Sequence, residues 1–195
     1  MGQPLILASA SPRRRELLAK LGLTFEVVAS DIPEIPRPDE SAEVFAQRMA
    51  REKAIAVARR RPGRCVLAAD TVVIVAGNLF GKPRDRADAR RMLQALSGRA
   101  HRVVTAVAVV GAAGEVEEAL AESTVEFRRL EADEIERYLD SGEPFDKAGA
   151  YAVQGIGGAL VGRVRGSFSN VVGLPMDEVV ELLRRHLGTG VASAP

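Results

Sequence analysis

Residues 5–22 read LILASASPRRRELLAKLG, and the change of pattern inside them sets the fold class. Leu5 to Ala8 is an apolar run of strand length. Ser11 is then a good helix N-cap and Pro12 a good first helical residue, with Leu17, Leu18 and Leu21 forming an apolar stripe before Gly22. A buried strand running directly into an amphipathic helix is the opening of an α/β protein. Arg13, Arg14 and Arg15 fall in the first turn of that helix. The first turn already carries unpaired N–H groups and the positive pole of the helix dipole, where each cation costs ~0.3–1 kcal/mol. An anion would offset that cost, and Ser9, Ser11, the first-turn N–H groups and Arg13–Arg14 together suit a phosphate. The plainer alternative is a capped surface helix with solvated arginines.

Working outward, TFEVVAS (24–30) alternates as a strand, and DIPEIPRPDE (31–40), with three prolines among four carboxylates, is a stiffened acidic loop. Ser41 caps a helix to about Arg60, with Phe45, Met49, Glu52 and Ala56 along one face and Lys53 at its margin. CVLAADTVVIV (65–75) is a β-branched run interrupted by Asp70. Gly77-Asn78 reads as a two-residue hairpin turn into LFGK. That register would pair Val73 with Lys82, setting Lys82 ~10 Å along the ladder from Asp70 and on the opposite face unless a bulge intervenes. Asp85 and Asp88 open a helix stopped by Gly98, HRVVTAVAVVG (101–111) is a strand, and a long polar strand follows through TVEFRRL. Ala132–Ser141 is a short helix. Seven glycines lie between 149 and 173, and Pro175 starts a last helix ending at Gly188. Strands and helices mix without strict βαβ alternation, which predicts a mixed β-sheet flanked by helices. Residues 1–188 read as one domain with two lobes and 189–195 as a loose tail.

Composition narrows the function. The chain has 195 residues, a net charge of +1 and 4% aromatic residues, so neither a global basic field nor stacking platforms point to nucleic acid. A single cysteine, Cys65, and two histidines disfavour disulfides and a Cys/His zinc site. The longest apolar run is short of a membrane span, and the apolar stretch precedes the arginines, the reverse of a secretory leader. The expectation is a cytoplasmic protein without membrane contact. GIGGAL is not a dinucleotide fingerprint, GNLFGKP lacks P-loop spacing and its Ser/Thr, and no G-x-S-x-G elbow occurs.

An anion-binding set and some carboxylates remain. Asp70, inside VLAADTVVIV, must meet a cation because an isolated buried carboxylate is costly. Glu34, in the proline-stiffened loop, could join it around a hard divalent ion. Of 27 basic residues only Lys20, Lys53, Lys82 and Lys147 are lysine, and the last three lie in suggestive stretches. Gln154 sits in YAVQGIGG, where small residues let a ligand approach the backbone. For Asp70 the plainer reading is a structural ion pair, for Glu34 a solvated loop acid and for Gln154 an ordinary turn glutamine.

In order along residues 5–187, SASPRRRELL, REKA, AADTVV, GKPRD, LSGRAHRVVTAVAV, DKAGAYAVQG and NVVGLP resemble the Maf family of nucleotide pyrophosphatases. The resemblance implies an α/β fold with two lobes around a cleft, frequent homodimers, and a divalent cation, Mg2+ or Mn2+. The implied reaction splits a nucleoside triphosphate into a monophosphate and pyrophosphate, and the family is also linked to inhibition of septum formation. By motif, Asp70 matches the catalytic base, and Arg13, Glu34, Lys53 and Lys82 match positions that contact substrate or metal. Arg13, Thr71 and Gln154 match positions that select the base. Asp70-Thr71 and Tyr151-x-x-Gln154-Gly155 are similar to the branch acting on dTTP and UTP. The alternatives are a purine-directed enzyme for inosine-type or 7-methyl-GTP nucleotides and a non-catalytic regulator of septum formation.

Overall fold

The computed structural model describes residues 5–188 and residue 191. The expected tail at 189–195 therefore lies outside the described residues except for Val191. That residue is buried, and its carbonyl accepts from Arg184 Nε at 3.4 Å.

Among the described residues the strands are β1 (Leu5–Leu7), β2 (Phe25–Val27), β3 (Val66–Val75), β4 (Asn78–Phe80), β5 (Ala100–Val110), β6 (Val116–Phe127) and β7 (Val161–Arg165). The helices are α1 (Pro12–Ala19), α2 (Ala42–Arg60), α3 (Arg86–Leu96), α4 (Ala132–Asp140), α5 (Phe168–Val172) and α6 (Met176–Leu187). The strands form one sheet in the order β2-β1-β3-β5-β6-β7, with β4 paired to β3. β1 runs parallel to both β2 and β3, whereas β3–β4 and β6–β7 are antiparallel, so the sheet is mixed as expected. No helix among the described residues is long and apolar enough to cross a membrane.

The chain divides into two compact units. One comprises the chain up to Asp70, Thr105–Ala121 and Gly173 onward; the other comprises Thr71–Val104 and Glu122–Val172. In the first, the consecutive β1-α1-β2 and β2-α2-β3 crossovers give the parallel strands, since such pairs need a crossover of a dozen residues or so. β1 is buried throughout, consistent with its lack of alternation. Ile6, Leu18, Met49, Val57, Leu67, Val107 and Leu183 are buried in this unit. The second unit has its own apolar core, including Val73, Phe80, Leu93, Val103, Val125, Phe127 and Leu139.

Helix ends follow the caps read from sequence. Ser11 Oγ accepts from Arg14 N, Ser41 Oγ from Val44 N and Asp85 Oδ1 from Asp88 N. Two local expectations are corrected, the hairpin register and the face of α2. The β3–β4 turn is Ala76-Gly77, with φ of 48° and 81°, so Val75 faces Asn78 and Val73 faces Phe80 rather than Lys82. This is the type I′ geometry that matches strand twist, and Asn78 is the first residue of β4. β3 also runs unbroken through Asp70. On α2 the buried face is Phe45, Ala46, Met49, Ala50, Lys53, Ala54 and Val57, so Lys53 belongs to it while Glu52 and Ala56 lie outside. The stretch from Glu143 through the glycine-rich segment to Gly173, which pattern alone does not divide, contains three 3-10 turns, β7 and α5.

Candidate active site

Asp70 ends the first unit's part of β3, with apolar neighbours that leave its side chain only 8% exposed. Its Oδ1 accepts from Lys53 Nζ at 2.6 Å, and Lys53, also 8% exposed, reaches down from the buried face of α2. The same ammonium lies 2.6 Å from Glu34 Oε1 on the acidic loop, whose side chain is 44% exposed. One lysine therefore bridges two carboxylates, one from the interior and one from the solvent side. Burial is the largest influence on Asp70 and pushes its carboxyl above the usual range, against the pull of the Lys53 and Arg14 charges.

The α1 N-terminus supplies the second part. Pro12 is the first residue, the first turn holds no acid, and Arg13, Arg14 and Arg15 follow. Ser9 is buried, and its Oγ accepts from Ser11 N at 3.2 Å and Arg14 Nη1 at 3.4 Å. Arg14 Nε donates to Gly173 O at 2.8 Å. Burial lowers the Arg14 pKa while Asp70 and Glu34 act to raise it, so its charge stands within electrostatic reach of both carboxylates. Arg13 and Arg14 thus differ. Both are half-buried, but Arg14 is tied to Gly173 O and Ser9 Oγ, whereas Arg13 makes no hydrogen bond or ion pair among the described residues.

Ser9, Arg13, Arg14, Glu34, Lys53 and Asp70 all belong to the first unit, and the Lys53 bridge directly joins three of them. Thr71, Lys82 and Gln154 belong to the second. Thr71 follows Asp70 on β3 and is half-buried, and Lys82 and Gln154 are exposed. Lys147 forms an ion pair with the adjacent Asp146. The carbonyl of Gly173, which fixes Arg14, is a partner that sequence reading does not supply. Its only trace is the NVVGLP motif, since a backbone acceptor has no side-chain signature. No group of three His, Cys, Asp or Glu side chains among the described residues is arranged to hold a metal ion. The two acids on Lys53 are a hard-oxygen pair of the sort that serves a divalent ion when phosphate oxygens complete its shell.

A mixed sheet that sets a cationic helix start within electrostatic reach of a buried, lysine-held carboxylate defines an anion-handling α/β protein. The chain belongs to the Maf family: the family described as "Maf-like protein" matches residues 4–186. A Myxococcus xanthus protein named dTTP/UTP pyrophosphatase is 58% identical over 93% of this chain and 91% of its own length. An Anaeromyxobacter dehalogenans protein of the same name is 55% identical over 95% of both chains. Among solved structures, a nucleoside-triphosphatase / dITP/XTP pyrophosphatase from Mycobacterium abscessus aligns over 94% of both chains at 19% identity and a TM-score of 0.46. That likeness is too loose to carry an argument about activity.

Proposed function

We propose that this chain is a nucleoside triphosphate pyrophosphatase that hydrolyses dTTP and UTP to the monophosphate and pyrophosphate, with residues 1–188 as one catalytic domain. The observation that carries the reading is the buried Asp70 carboxylate held by Lys53 at 2.6 Å, within electrostatic reach of Arg14 at the cationic start of α1. The names of relatives at 58% and 55% identity support the substrate.

A triphosphate brings about four negative charges, and its reaction needs positioning and charge neutralisation more than covalent help from the protein. The first-turn N–H groups of α1, Ser9 and Arg13 bind phosphate oxygens, and Lys82 is a further substrate contact implied by its GKPRD motif. Arg14 acts from behind: anchored on Gly173 O, it fixes Ser9 and adds field. Lys53 holds Asp70 Oδ1 and leaves Oδ2 to take a proton from water. The water oxygen bonds to the α-phosphorus, the bond from that phosphorus to the bridging oxygen breaks, and pyrophosphate leaves. Glu34 and Asp70 are the residues that would hold Mg2+ or Mn2+, which when bound supplies charge neutralisation and lowers the pKa of a coordinated water. With phosphate present, Lys53 exchanges a carboxylate contact for a phosphate oxygen.

Thr71 and Gln154 select the base. A glutamine amide can donate to O4 and accept from N3–H of uracil or thymine, and cytosine presents the reverse pattern. We further propose that the chain works in the cytoplasm and pairs as a homodimer, the latter checked by sedimentation. Burial pushes the Cys65 thiol up to about 11, which keeps it unreactive there.

The test is a panel of UTP, dTTP, ITP and 7-methyl-GTP incubated with purified protein and Mg2+ or Mn2+, with the products separated by ion exchange. Pyrophosphate and monophosphate from UTP and dTTP are expected. A preference for ITP or 7-methyl-GTP would reassign the substrate, and no pyrophosphate from any of them would leave a non-catalytic regulator.

A further inference from the structure

The second unit contains a carboxylate with no part in the chemistry above. Glu143 starts a 3-10 turn after Gly142, whose φ is 75°. Its Oε1 accepts from Gly157 N at 2.8 Å and from Tyr138 Oη at 2.9 Å, and its Oε2 accepts from Ile156 N at 3.1 Å. Tyr138, buried on α4, also accepts at Oη from Ala152 N at 3.3 Å. One carboxylate and one phenol thereby grip the backbone two residues before Gln154 and two and three residues after it. Gln154 itself is exposed and makes no hydrogen bond among the described residues.

The glycines of YAVQGIGG follow from this grip. Gly155 has φ 82°, and a Cβ there would lie 2.6 Å from Glu143 Oε2. A Cβ on Gly157 would lie 2.5 Å from Tyr138 Oη and 2.6 Å from Ala152 O. Side chains at 155 and 157 would push the carboxylate and the phenol off the loop. Burial acts to raise the Glu143 carboxyl, but the Gly157 N–H, the Tyr138 hydroxyl, the Ile156 N–H and the Lys147 charge outweigh it. The group is held below the usual carboxylate range and is ionised at neutral pH. A charged acceptor makes stronger hydrogen bonds than a neutral one.

We propose that Glu143, with Tyr138, is a positioning residue that holds the 152–157 loop so that the Gln154 amide meets the pyrimidine edge already oriented. This rests on the reading of Gln154 as the base-selecting residue. Ordering the loop in advance lowers the entropy lost on binding and sharpens discrimination between nucleotides that differ only at the base edge.

The experiment compares UTP with CTP, the latter followed as substrate or as competitive inhibitor, in the full chain and in Glu143→Ala, Gln154→Ala and the double variant. Glu143→Ala should raise the KM for UTP about tenfold, the loss expected for a few weakened hydrogen bonds. It should leave kcat within about twofold and CTP little changed, so that the preference for UTP falls by the same factor. Gln154→Ala should give a similar fall, and the double variant should add little to it. UTP and CTP weakening in step, an unchanged preference in Glu143→Ala, or additive losses in the double variant would overturn the proposal. If Gln154→Ala leaves the preference unchanged, the base-reading assignment fails and this proposal fails with it. If Gln154→Ala removes the preference while Glu143→Ala retains it, only the positioning role fails. Should Glu143→Ala not melt cooperatively, Glu143→Gln, which keeps the volume and removes the charge, is judged by the same outcomes.

Discussion

Lys53 stands between Glu34 and Asp70, the two carboxylates proposed above to hold a divalent ion. Removing one member of a buried ion pair costs about 3–5 kcal/mol because the survivor is left uncompensated. Lys53→Met should therefore lower stability by that order, read as a urea midpoint. Mn2+ should then raise the melting temperature of the variant more than that of the unmodified chain, because two carboxylates without their ammonium gain most from a metal. Asp70→Asn should abolish pyrophosphate release from UTP while keeping cooperative melting, since a neutral amide is less costly than a carboxylate in that interior. Retained turnover would remove Asp70 as the base. The buried, lysine-paired place of Asp70 was legible because an acid inside a β-branched run must meet a cation. Lys53 was only half legible: Met49 and Val57 flank it at four-residue spacing, but Ala46, Ala50 and Ala54 are too small to announce a buried face. The different contacts of Arg13 and Arg14 were illegible, since one of these identical neighbours is anchored on a backbone carbonyl 159 residues away.

Elements were read most reliably where a side chain terminates them, as Ser11, Ser41 and Asp85 do, because a cap is a local bond that the sequence states outright. The β3–β4 hairpin shows the limit of that method. A Gly-Asn pair attracts attention as a turn, yet the register is decided by which residues must face the core, and that places Ala76-Gly77 at the corner. Asn78 instead ties the turn from outside, donating from Nδ2 to Ala76 O at 3.2 Å. Alanine at φ 48° is poorly suited to its place. Ala76→Asn should accordingly stabilise the protein by about 0.5–1 kcal/mol, and Gly77→Ala should destabilise it by about 1 kcal/mol or more. Chemical denaturation of the two variants checks both signs. The glycine-rich stretch resisted division because its turns are fixed by distant partners such as Glu143 and by Gly149 N donating to Gly81 O, not by any period of its own.

For the molecule as a whole, the mixed sheet follows from the alternation of strand-like and helix-like segments, whereas the partition into two units depends on which long strands are shared, which no local pattern encodes. Acid sensitivity belongs at this scale. His101 is buried against Phe127 and Tyr151, with its Nε2 2.8 Å from Tyr151 Oη, and burial lowers its pKa from 6.5 to about 4. Between those values the unfolded chain takes up a proton that the folded chain refuses. Stability from this site is complete above about pH 6.5 and declines by up to ~1.4 kcal/mol per unit as pH falls toward 4. Urea midpoints at pH 7 and pH 5 should show that decline, and His101→Phe should flatten it. The first unit is stitched from three separated stretches of chain, the third beginning at Gly173 and carrying the buried Val179 and Leu183 of α6. A nascent polypeptide leaving the ribosome has therefore released every residue of the second unit before the first can close. Until translation passes α6, the Asp70 carboxylate proposed above as the base waits in an unfinished scaffold, and on that reading a partly made chain has no working site.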